Sequence, residues 1–335
     1  MSIGLLLFQD PWRGLWVDRG YHPAARAAAA PEGGQGVSIP LTFVQMADPQ
    51  FGQFAQFSGR RPEELARYWR HRLNVRPAPK VEHFQEETRR FEAAIAMTGA
   101  LAPRFAIICG DMVNRAGDPG QVAEVKRIAA ALPPGIPLRF VAGNHDACVD
   151  NEVPDHESLA RYRADFGPDF YWFREDRAYF LVVNACLLQH PERVPEEHER
   201  QMRWLEDALR DARRAGASHL VAFTHQPLFM AHPEEPDEDY PWAPSPPGRP
   251  PGYWAVPRVR RMPVVELFRQ YGVQALFCGH WHRNHEARDG NMLQVLTGAV
   301  GYPLGDDPSG IRVVRLTRDG LEHEYRALPL GGAAF

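Results

Sequence analysis

The pattern that most constrains this chain is a short apolar run that ends abruptly in polar residues. Residues 137–142 form such a run, and Gly143, Asn144, His145 and Asp146 follow it directly. Glycine permits a sharp turn, while asparagine and aspartate compete with regular backbone hydrogen bonding, so a strand is predicted to stop here. The three polar side chains offer the lone pairs that metal binding and proton transfer require. A single strand end of this kind is more often a capped turn than a functional site.

Four further apolar runs end in the same way, and we predict that each is a buried strand. The run 39–46 is followed by Asp48 and Gln50, and the run 105–109 by Asp111. The run 219–223 is followed by His225, and the run 273–278 by His280 and His282. Together with Asn144 and His145, they offer two carboxylates, four imidazoles and two amides. This set contains no cysteine, so it disfavours a structural zinc site and suits Mn, Fe or Zn at a hydrolytic centre. Seven or eight ligands are too many for one ion and about right for two.

The spacing between the strands predicts an α/β fold. Residues 84–101 and 119–132 have helical periodicity and alternate with the first three strands, a βαβ arrangement that indicates a parallel sheet. In such sheets ligands bind at the carboxyl ends of the strands, where all the polar clusters lie. Further helices are predicted at 157–166, 197–214 and 256–271, and a loop at 59–81. Residues 171–173 and 178–184 are predicted to form a hairpin. The β-like runs at 292–296, 311–316 and 321–325 would form an antiparallel flank or a second sheet.

The composition of the 335-residue chain predicts an N-terminal arm, a folded domain and a loop insertion within that domain. Residues 1–38 are rich in Ala, Gly and Arg without a sustained period, which predicts a poorly ordered N-terminal arm. Residues 39–330 are predicted to form the folded domain. Within it, Pro, Glu, Asp, Tyr and Trp dominate residues 229–254, a loop insertion that we interpret either as a lid or as a surface excursion without a role.

Charge and cysteine usage limit the partners and the compartment. A net charge of −4 with no basic block disfavours nucleic acid and anionic membranes. The four cysteines, at positions 109, 148, 186 and 278, lack a Cys-x-x-Cys spacing, so we expect free thiols in a reducing compartment. No apolar run reaches the roughly 18 residues of a membrane span, and residues 1–8 lack the basic start of a signal peptide. We therefore expect a cytoplasmic monomer that binds neither nucleic acid nor membrane.

Five motifs follow one another along the chain. They are Asp-x-Gln at 48–50, Gly-Asp-x-x at 110–113, Gly-Asn-His-Asp at 143–146, His-x-Pro at 225–227 and Gly-His-x-His at 279–282. In this order they resemble the calcineurin-like metallophosphoesterase superfamily over most of the chain. Segments 47–52, 226–229, 279–284 and 305–312 are similar to one branch of it, the calcineurin-like phosphoesterase domain-containing proteins, also described as complete S-type serine/threonine phosphatases.

The resemblance implies a fold and a cofactor. The fold would be a four-layer α/β/β/α sandwich of two mixed sheets flanked by helices, and the cofactor would be two metal ions (Mn, Fe or Zn). The resemblance implies that the first ion is held by Asp48, Gln50, Asp111 and His282, and the second by Asn144, His225 and His280 with Asp111 as the bridge. Two positions depart from the family pattern. Gln50 replaces the usual His with a weaker amide oxygen, and Asn114 stands where many members carry a second Asp.

The resemblance also implies the chemistry. A metal-bound hydroxide would attack the phosphorus of a phosphate monoester, and His145, oriented by Asp146, would protonate the leaving oxygen. Arg115 and Arg283 are candidates for binding the substrate phosphate. The substrate would be a phosphorylated small molecule or a phosphoprotein, with phosphoserine and phosphothreonine included. Two alternatives stay open: a phosphodiesterase for cyclic nucleotides or other diesters on the same metal core, and a metal-free scaffold, which the intact ligand set disfavours.

Overall fold

The computed structural model describes residues 40–330, so the predicted arm at residues 1–38 lies outside the described residues. The helices are α1 (Gln53–Phe57), α2 (Pro62–Arg70), α3 (Gln85–Leu101), α4 (Pro119–Ala129), α5 (Asn144–Ala147), α6 (His156–Phe166), α7 (Ala185–Gln189), α8 (Pro195–Arg214) and α9 (Arg258–Tyr271). The strands are β1 (Leu41–Met46), β2 (Ala106–Cys109), β3 (Leu138–Val141), β4 (Tyr171–Glu175), β5 (Ala178–Val182), β6 (His219–Phe223), β7 (Ala275–Cys278), β8 (His285–Asp289), β9 (Met292–Leu296), β10 (Gly310–Thr317) and β11 (Gly320–Ala327).

The strands form two mixed sheets. Sheet I has the order β11-β10-β1-β2-β3, and sheet II has the order β4-β5-β6-β7-β9-β8. Strands β1, β2 and β3 are parallel, and so are β5, β6, β7 and β9. The C-terminal runs divide between the sheets, because β9 joins sheet II while β10 and β11 add an antiparallel flank to sheet I. The predicted hairpin is confirmed as the antiparallel pair β4–β5.

One predicted loop is partly wrong. Residues 59–81 were expected to lack regular structure, yet α2 occupies Pro62–Arg70. Proline fits the first turn of a helix, and the Glu64 carboxylate accepts a hydrogen bond from the Arg61 backbone N–H at 3.0 Å. Leu65 is the one buried residue of α2. Leu65, Tyr68 and Trp69 have helical spacing, but a helix of nine residues with a single fully buried side chain gives a weak apolar signal, to which its N-terminal residues add.

Aromatic side chains join the two sheets. Phe43 and Phe105 of sheet I stack with ring centroids 4.9 Å apart, and Phe43 meets Phe180, Phe223 and Phe277 of sheet II edge-on at 5.7–5.8 Å. All five rings are fully buried. Edge-to-face and offset contacts of this kind add to the stabilisation from buried area. The interlocked rings fix the distance and the register between the sheets, and with them the relative position of the strand ends.

Helices cover the outer face of each sheet. Helices α3, α4 and α6 pack on sheet I, where Phe91 and Val125 join the cluster that contains Val44 and Ile108. Helices α8 and α9 pack on sheet II through a second cluster that includes Leu205, Phe268 and Leu276. Alternate residues of β1 thus face opposite layers, as the period of two in a strand requires. The predicted four-layer α/β/β/α sandwich is confirmed.

The insertion at residues 229–254 packs on sheet II. The buried Glu235 carboxylate accepts hydrogen bonds from the backbone N–H groups of Met230, Ala231 and His232 at 2.7–3.1 Å. The buried Arg261 of α9 donates to the Pro233 carbonyl at 2.8 Å. These bonds satisfy the polar groups of the insertion internally. Among residues 40–330, no helix has both the length and the apolar character that crossing a membrane requires.

Candidate metal centre

The polar ends of five strands meet at one edge of the sandwich. β1, β2 and β3 bring Asp48, Asp111 and Asn144 from sheet I, while β6 and β7 bring His225 and His280 from sheet II. The loops are joined by hydrogen bonds, because the Asp48 backbone N–H donates to the Gly110 carbonyl at 3.1 Å and the His280 backbone N–H to the Asp48 carboxylate at 3.1 Å. Residues far apart in sequence are thus held together by the parallel sheets.

The backbone is strained at this edge. The φ angles are positive at Asp48 (52°), Gln50 (38°), Asp111 (52°), His280 (71°) and His282 (57°). Non-glycine residues rarely adopt this region, and clusters of such residues are found at functional sites. The strain turns each side chain out of the strand direction and toward the common edge.

Two glycines let the loops approach closely. A Cβ atom at Gly110, where φ is +80°, would lie 2.3 Å from His225 Nδ1. A Cβ atom at Gly143 would lie 2.2 Å from Asp111 Oδ1. Both distances are far below van der Waals contact, so the Gly-Asp and Gly-Asn-His-Asp motifs need their glycines for the packing of the centre.

The first group of donor atoms surrounds His225 Nε2. Asp111 Oδ2, Asn144 Oδ1 and His280 Nδ1 each lie 3.2 Å from it. The other ring nitrogen, Nδ1, faces the Cys109 carbonyl oxygen at 2.9 Å and donates to it, which directs Nε2 toward the group. One proton on Nε2 cannot satisfy three acceptors, whereas a cation among them can be shared by all.

The second group contains Asp48, Asp111 and His282. His282 Nε2 lies 3.4 Å from Asp48 Oδ1, and His282 Nδ1 faces the Tyr302 carbonyl at 2.7 Å. One possible ligand atom from each residue lies within 4.8 Å of the others, and the same holds for Asp111, His225 and His280. Asp111 belongs to both groups. Gln50 is buried beside them, and its Nε2 donates to Asn114 Oδ1 at 3.3 Å, which leaves its carbonyl oxygen as the possible ligand.

Unsatisfied atoms test whether these residues suit metal ions. Gln50 Oε1 is one of several buried side-chain atoms that have no hydrogen-bond partner among the described residues, and it is the one that lies beside the second donor group. Buried polar atoms are normally paired, and a bound cation would pair this amide oxygen, which is a ligand type suited to divalent metals. Both donor groups therefore fit a metal ion.

The electrostatics of the centre favour positive charge. Burial alone would raise the pKa of Asp111, but the imidazoles of His225 and His145 outweigh it and hold that pKa below its usual range. Burial opposes a charged His225, yet Asp111 and Asp48 raise its pKa to about 10. Burial and the charge of His225 lower the pKa of His280 well below normal. The two buried carboxylates thus favour positive charge at this point, which a protonated His225 or a bound cation can supply.

His145 lies beside both donor groups. Its Nε2 is 4.0 Å from Asp111 Oδ2, and its Nδ1 donates to the Asn114 carbonyl at 2.9 Å. Burial, only partly offset by Asp111, lowers the pKa of His145. Asp146, which we expected to orient this ring, instead accepts the backbone N–H groups of Val113 and Gly143 at 3.1 and 3.0 Å. A carbonyl therefore orients His145, while Asp146 fixes the loops around it.

The two candidate arginines have different surroundings. Arg115 is exposed and lines a groove of about 770 Å³ together with Asn114 and Asn151, whose backbone carbonyls accept hydrogen bonds from His145 and Asn144. The Arg283 guanidinium donates to the Leu304 carbonyl at 2.9 Å and to the Arg72 carbonyl. Arg115 thus lines the groove next to two residues that contact the centre, whereas Arg283 joins two loops.

Sequence reasoning missed several residues at the centre. The Cys109 and Tyr302 carbonyls that orient His225 and His282 leave no trace in a sequence, because any residue supplies a carbonyl. The rings of Tyr253 and Trp254 pack on the His280 imidazole, with centroids 5.1 and 5.5 Å away. The aromatic composition of the insertion was the available signal for these two.

Comparison with known proteins identifies the family. The profile described as calcineurin-like phosphoesterase matches residues 42–284. The human serine/threonine-protein phosphatase CPPED1 is 30% identical over 295 residues, which cover 86% of this chain and 84% of the relative. The phosphatase of the same name from Danio rerio is 30% identical over 298 residues, which cover 87% of this chain and 86% of the relative.

Solved structures share the fold. A dimetal phosphatase from Danio rerio superposes with a TM-score of 0.54 at 13% identity, covering 85% of this chain and 99% of that chain. The purple acid phosphatase PPD1 from yellow lupin seeds gives a TM-score of 0.57 at 14% identity, covering 89% of this chain and 53% of that chain. The profile match spans all five motifs, and the two relatives each cover more than four fifths of this chain. The chain therefore belongs to the calcineurin-like phosphoesterase family.

Proposed function

We propose that this phosphoester hydrolase cleaves phosphate monoesters at a centre of two metal ions. The observation that carries the proposal is the position of Asp111, which belongs to both groups of possible ligands. Asp48, Gln50, Asp111 and His282 would hold one ion, and Asp111, Asn144, His225 and His280 the other. Two bound cations supply charge compensation for the phosphate oxygens and a lower pKa for coordinated water.

His145 is proposed to deliver a proton to the leaving oxygen. Its Nδ1 is fixed by the Asn114 carbonyl, so Nε2 points toward the donor groups and can carry the second proton of the charged ring. A pKa that burial lowers makes the charged imidazole a stronger acid. Its side chain is 16% exposed, which leaves it accessible to a substrate.

The groove that Arg115 lines is proposed to hold the alcohol part of the substrate. Its volume of about 770 Å³ lies within the range of ligand pockets and exceeds the size of a phosphate group. Relatives that are 30% identical carry the name serine/threonine-protein phosphatase. We therefore propose phosphoserine and phosphothreonine, in a peptide or a protein, as substrates, with Arg115 as a contact beside the phosphate.

The test begins with elemental analysis of the purified protein, followed by turnover assays on the metal-loaded form. We expect about two bound ions per chain and faster hydrolysis of a phosphothreonine peptide than of a bis-aryl phosphate, with Mn²⁺ added. Arg115→Ala should raise the KM for the peptide more than the KM for phenyl phosphate. A preference for the bis-aryl diester would indicate a phosphodiesterase. Failure to bind any metal on reconstitution would indicate a scaffold.

A further inference from the structure

Tyr253 lies against the metal centre without being a candidate ligand. Its ring packs on the His280 imidazole with centroids 5.1 Å apart and planes at 40°. The neighbouring Trp254 meets the same imidazole at 5.5 Å and 68°, and it meets Tyr253 edge-on at 5.1 Å. The insertion thus places two aromatic rings against one possible metal ligand.

The backbone of Tyr253 is held firmly. Its N–H donates to Ser245 Oγ at 3.2 Å, and the preceding Gly252 N–H donates to Asp239 Oδ1 at 3.0 Å. Trp254 Nε1 donates to the Pro244 carbonyl at 2.9 Å. The ring therefore has a defined position, which a substrate contact requires.

A second link joins the insertion to the ligand loop on sheet I. The Arg249 guanidinium lies 5.3 Å above the centre of the Tyr253 ring and forms an ion pair with Glu152. The adjacent Asn151 carbonyl accepts a hydrogen bond from Asn144 Nδ2 at 3.1 Å. The segment that carries Tyr253 is thereby tied to loops on both sheets.

The Tyr253 hydroxyl is unpaired within the part of the chain that the structure describes. Across residues 40–330 no hydrogen bond to it is found, whereas the hydroxyl of Tyr171 donates to the Phe140 carbonyl at 2.9 Å and that of Tyr240 to Glu235 at 2.9 Å. A phenol has an ordinary pKa of about 10, so it keeps its proton at neutral pH and is a hydrogen-bond donor.

We propose that Tyr253 is a substrate-binding residue whose hydroxyl donates a hydrogen bond to a phosphate oxygen of the bound ester. Two observations carry this assignment: the ring lies beside His280, and no described residue accepts a hydrogen bond from the hydroxyl. The inference rests on the proposed phosphomonoesterase function and adds a contact from outside the five motifs. It also gives the insertion a role, as the wall that closes the centre on the side of sheet II.

The decisive variant is Tyr253→Phe, which keeps the ring on His280 and removes only the hydroxyl. The matched control is Tyr179→Phe, in β5, whose ring stacks on Trp172 on the outer face of sheet II. Both variants are loaded with metal, and equal metal content is verified by elemental analysis. Binding of inorganic phosphate is then measured by calorimetry, and the near-ultraviolet difference spectrum of tyrosine is recorded on adding phosphate.

We expect Tyr253→Phe to weaken phosphate binding about tenfold or more, which is the range for a hydrogen bond to a charged group. KM for the phosphopeptide should rise by the same factor, and the phosphate-induced tyrosine signal should disappear. Tyr179→Phe should change none of these. Unchanged phosphate affinity and unchanged kcat/KM in Tyr253→Phe would overturn the proposal and leave the ring a packing role only.

The test of Tyr253 can be distinguished from the test of the proposed phosphomonoesterase function. If the wild-type protein binds phosphate but hydrolyses no monoester, the proposed function fails and Tyr253 is still judged by phosphate affinity. If the metal-loaded wild-type protein binds no phosphate, the assignment of Tyr253 fails too.

Discussion

Glu87 of α3 gives the sharpest prediction for stability. Its side chain is fully buried, and Oε1 accepts a hydrogen bond from the Phe54 backbone N–H at 2.7 Å, at the start of α1. Among the described residues Oε2 has no partner. Burial raises the pKa of Glu87 to about 7, although hydrogen bonds from the backbone of Phe54 and Gly52 act in the opposite direction. Glu87 thereby supports the loop that follows Asp48 and Gln50.

The raised pKa of Glu87 makes the free energy of unfolding depend on pH, through the linkage between proton binding and folding. The folded protein holds the proton more tightly than the unfolded chain, whose glutamate has a pKa near 4.5. The stabilisation that the protonated Glu87 gives the folded protein is therefore fully present below about pH 4.5 and is lost as the pH rises through about 7. A difference of about 2.5 pKa units corresponds to ~3 kcal/mol, of which ~2.5 kcal/mol falls between about pH 5 and about pH 8.

Glu87→Gln should remove this dependence, because the amide keeps an acceptor for Phe54 and carries no charge. Urea unfolding of metal-free protein at about pH 5 and about pH 8 measures the free energy of unfolding of both proteins. The wild type should lose ~2.5 kcal/mol relative to Glu87→Gln over that interval. Glu63→Gln makes the same change at an exposed position of α2 and serves as the control. Parallel curves for wild type and Glu87→Gln would refute the reasoning.

Three further predictions concern the metal centre. Gly143→Ala should cost about 1–3 kcal/mol of stability and lower metal content, because its Cβ would lie 2.2 Å from Asp111 Oδ1. Gly135→Ala, whose Cβ would meet nothing within 4 Å, is the matched control for a thermal melt. Asp111→Asn should release both ions together on elemental analysis, whereas Asp176→Asn at an exposed turn should release none; one ion kept at full occupancy would contradict a shared ligand. His145→Ala should keep its metal and lose about 10²–10⁴-fold in turnover of an alkyl phosphate but less for an activated aryl phosphate, and equal losses would argue against an acid.

Much of the fold was predictable because its signals are local. Each strand of the parallel core is a short apolar run that ends in glycine or a polar residue, and the helices between them have a clear apolar period. The antiparallel pair β4–β5 was likewise marked by two apolar runs around a charged turn. Helix α2 and strand β8 were missed, since α2 buries only Leu65 and β8 (His285–Asp289) is largely polar.

The identity of the donors at the centre was also a property of the sequence. A strand end positions the side chains of the nearest few residues, and five donors lie two or three residues beyond a strand: Asp48, Asp111, Asn144, His225 and His280. The structure brings these residues to one edge, and their roles as ligands remain a prediction that elemental analysis will test.

Only the tertiary structure decided which strand ends meet and how the side chains are directed. The packing of sheet I on sheet II through the phenylalanine core sets His225 Nε2 3.2 Å from Asp111 Oδ2, an arrangement between residues 114 positions apart that no local pattern encodes. The same long-range packing places the His145 ring within hydrogen-bond distance of the Asn114 carbonyl and packs Tyr253 on His280. It also lets Arg283 donate to two loop carbonyls. Chain composition fixes which chemical groups are available, whereas the contacts between distant segments fix their distances, and those distances determine the chemistry.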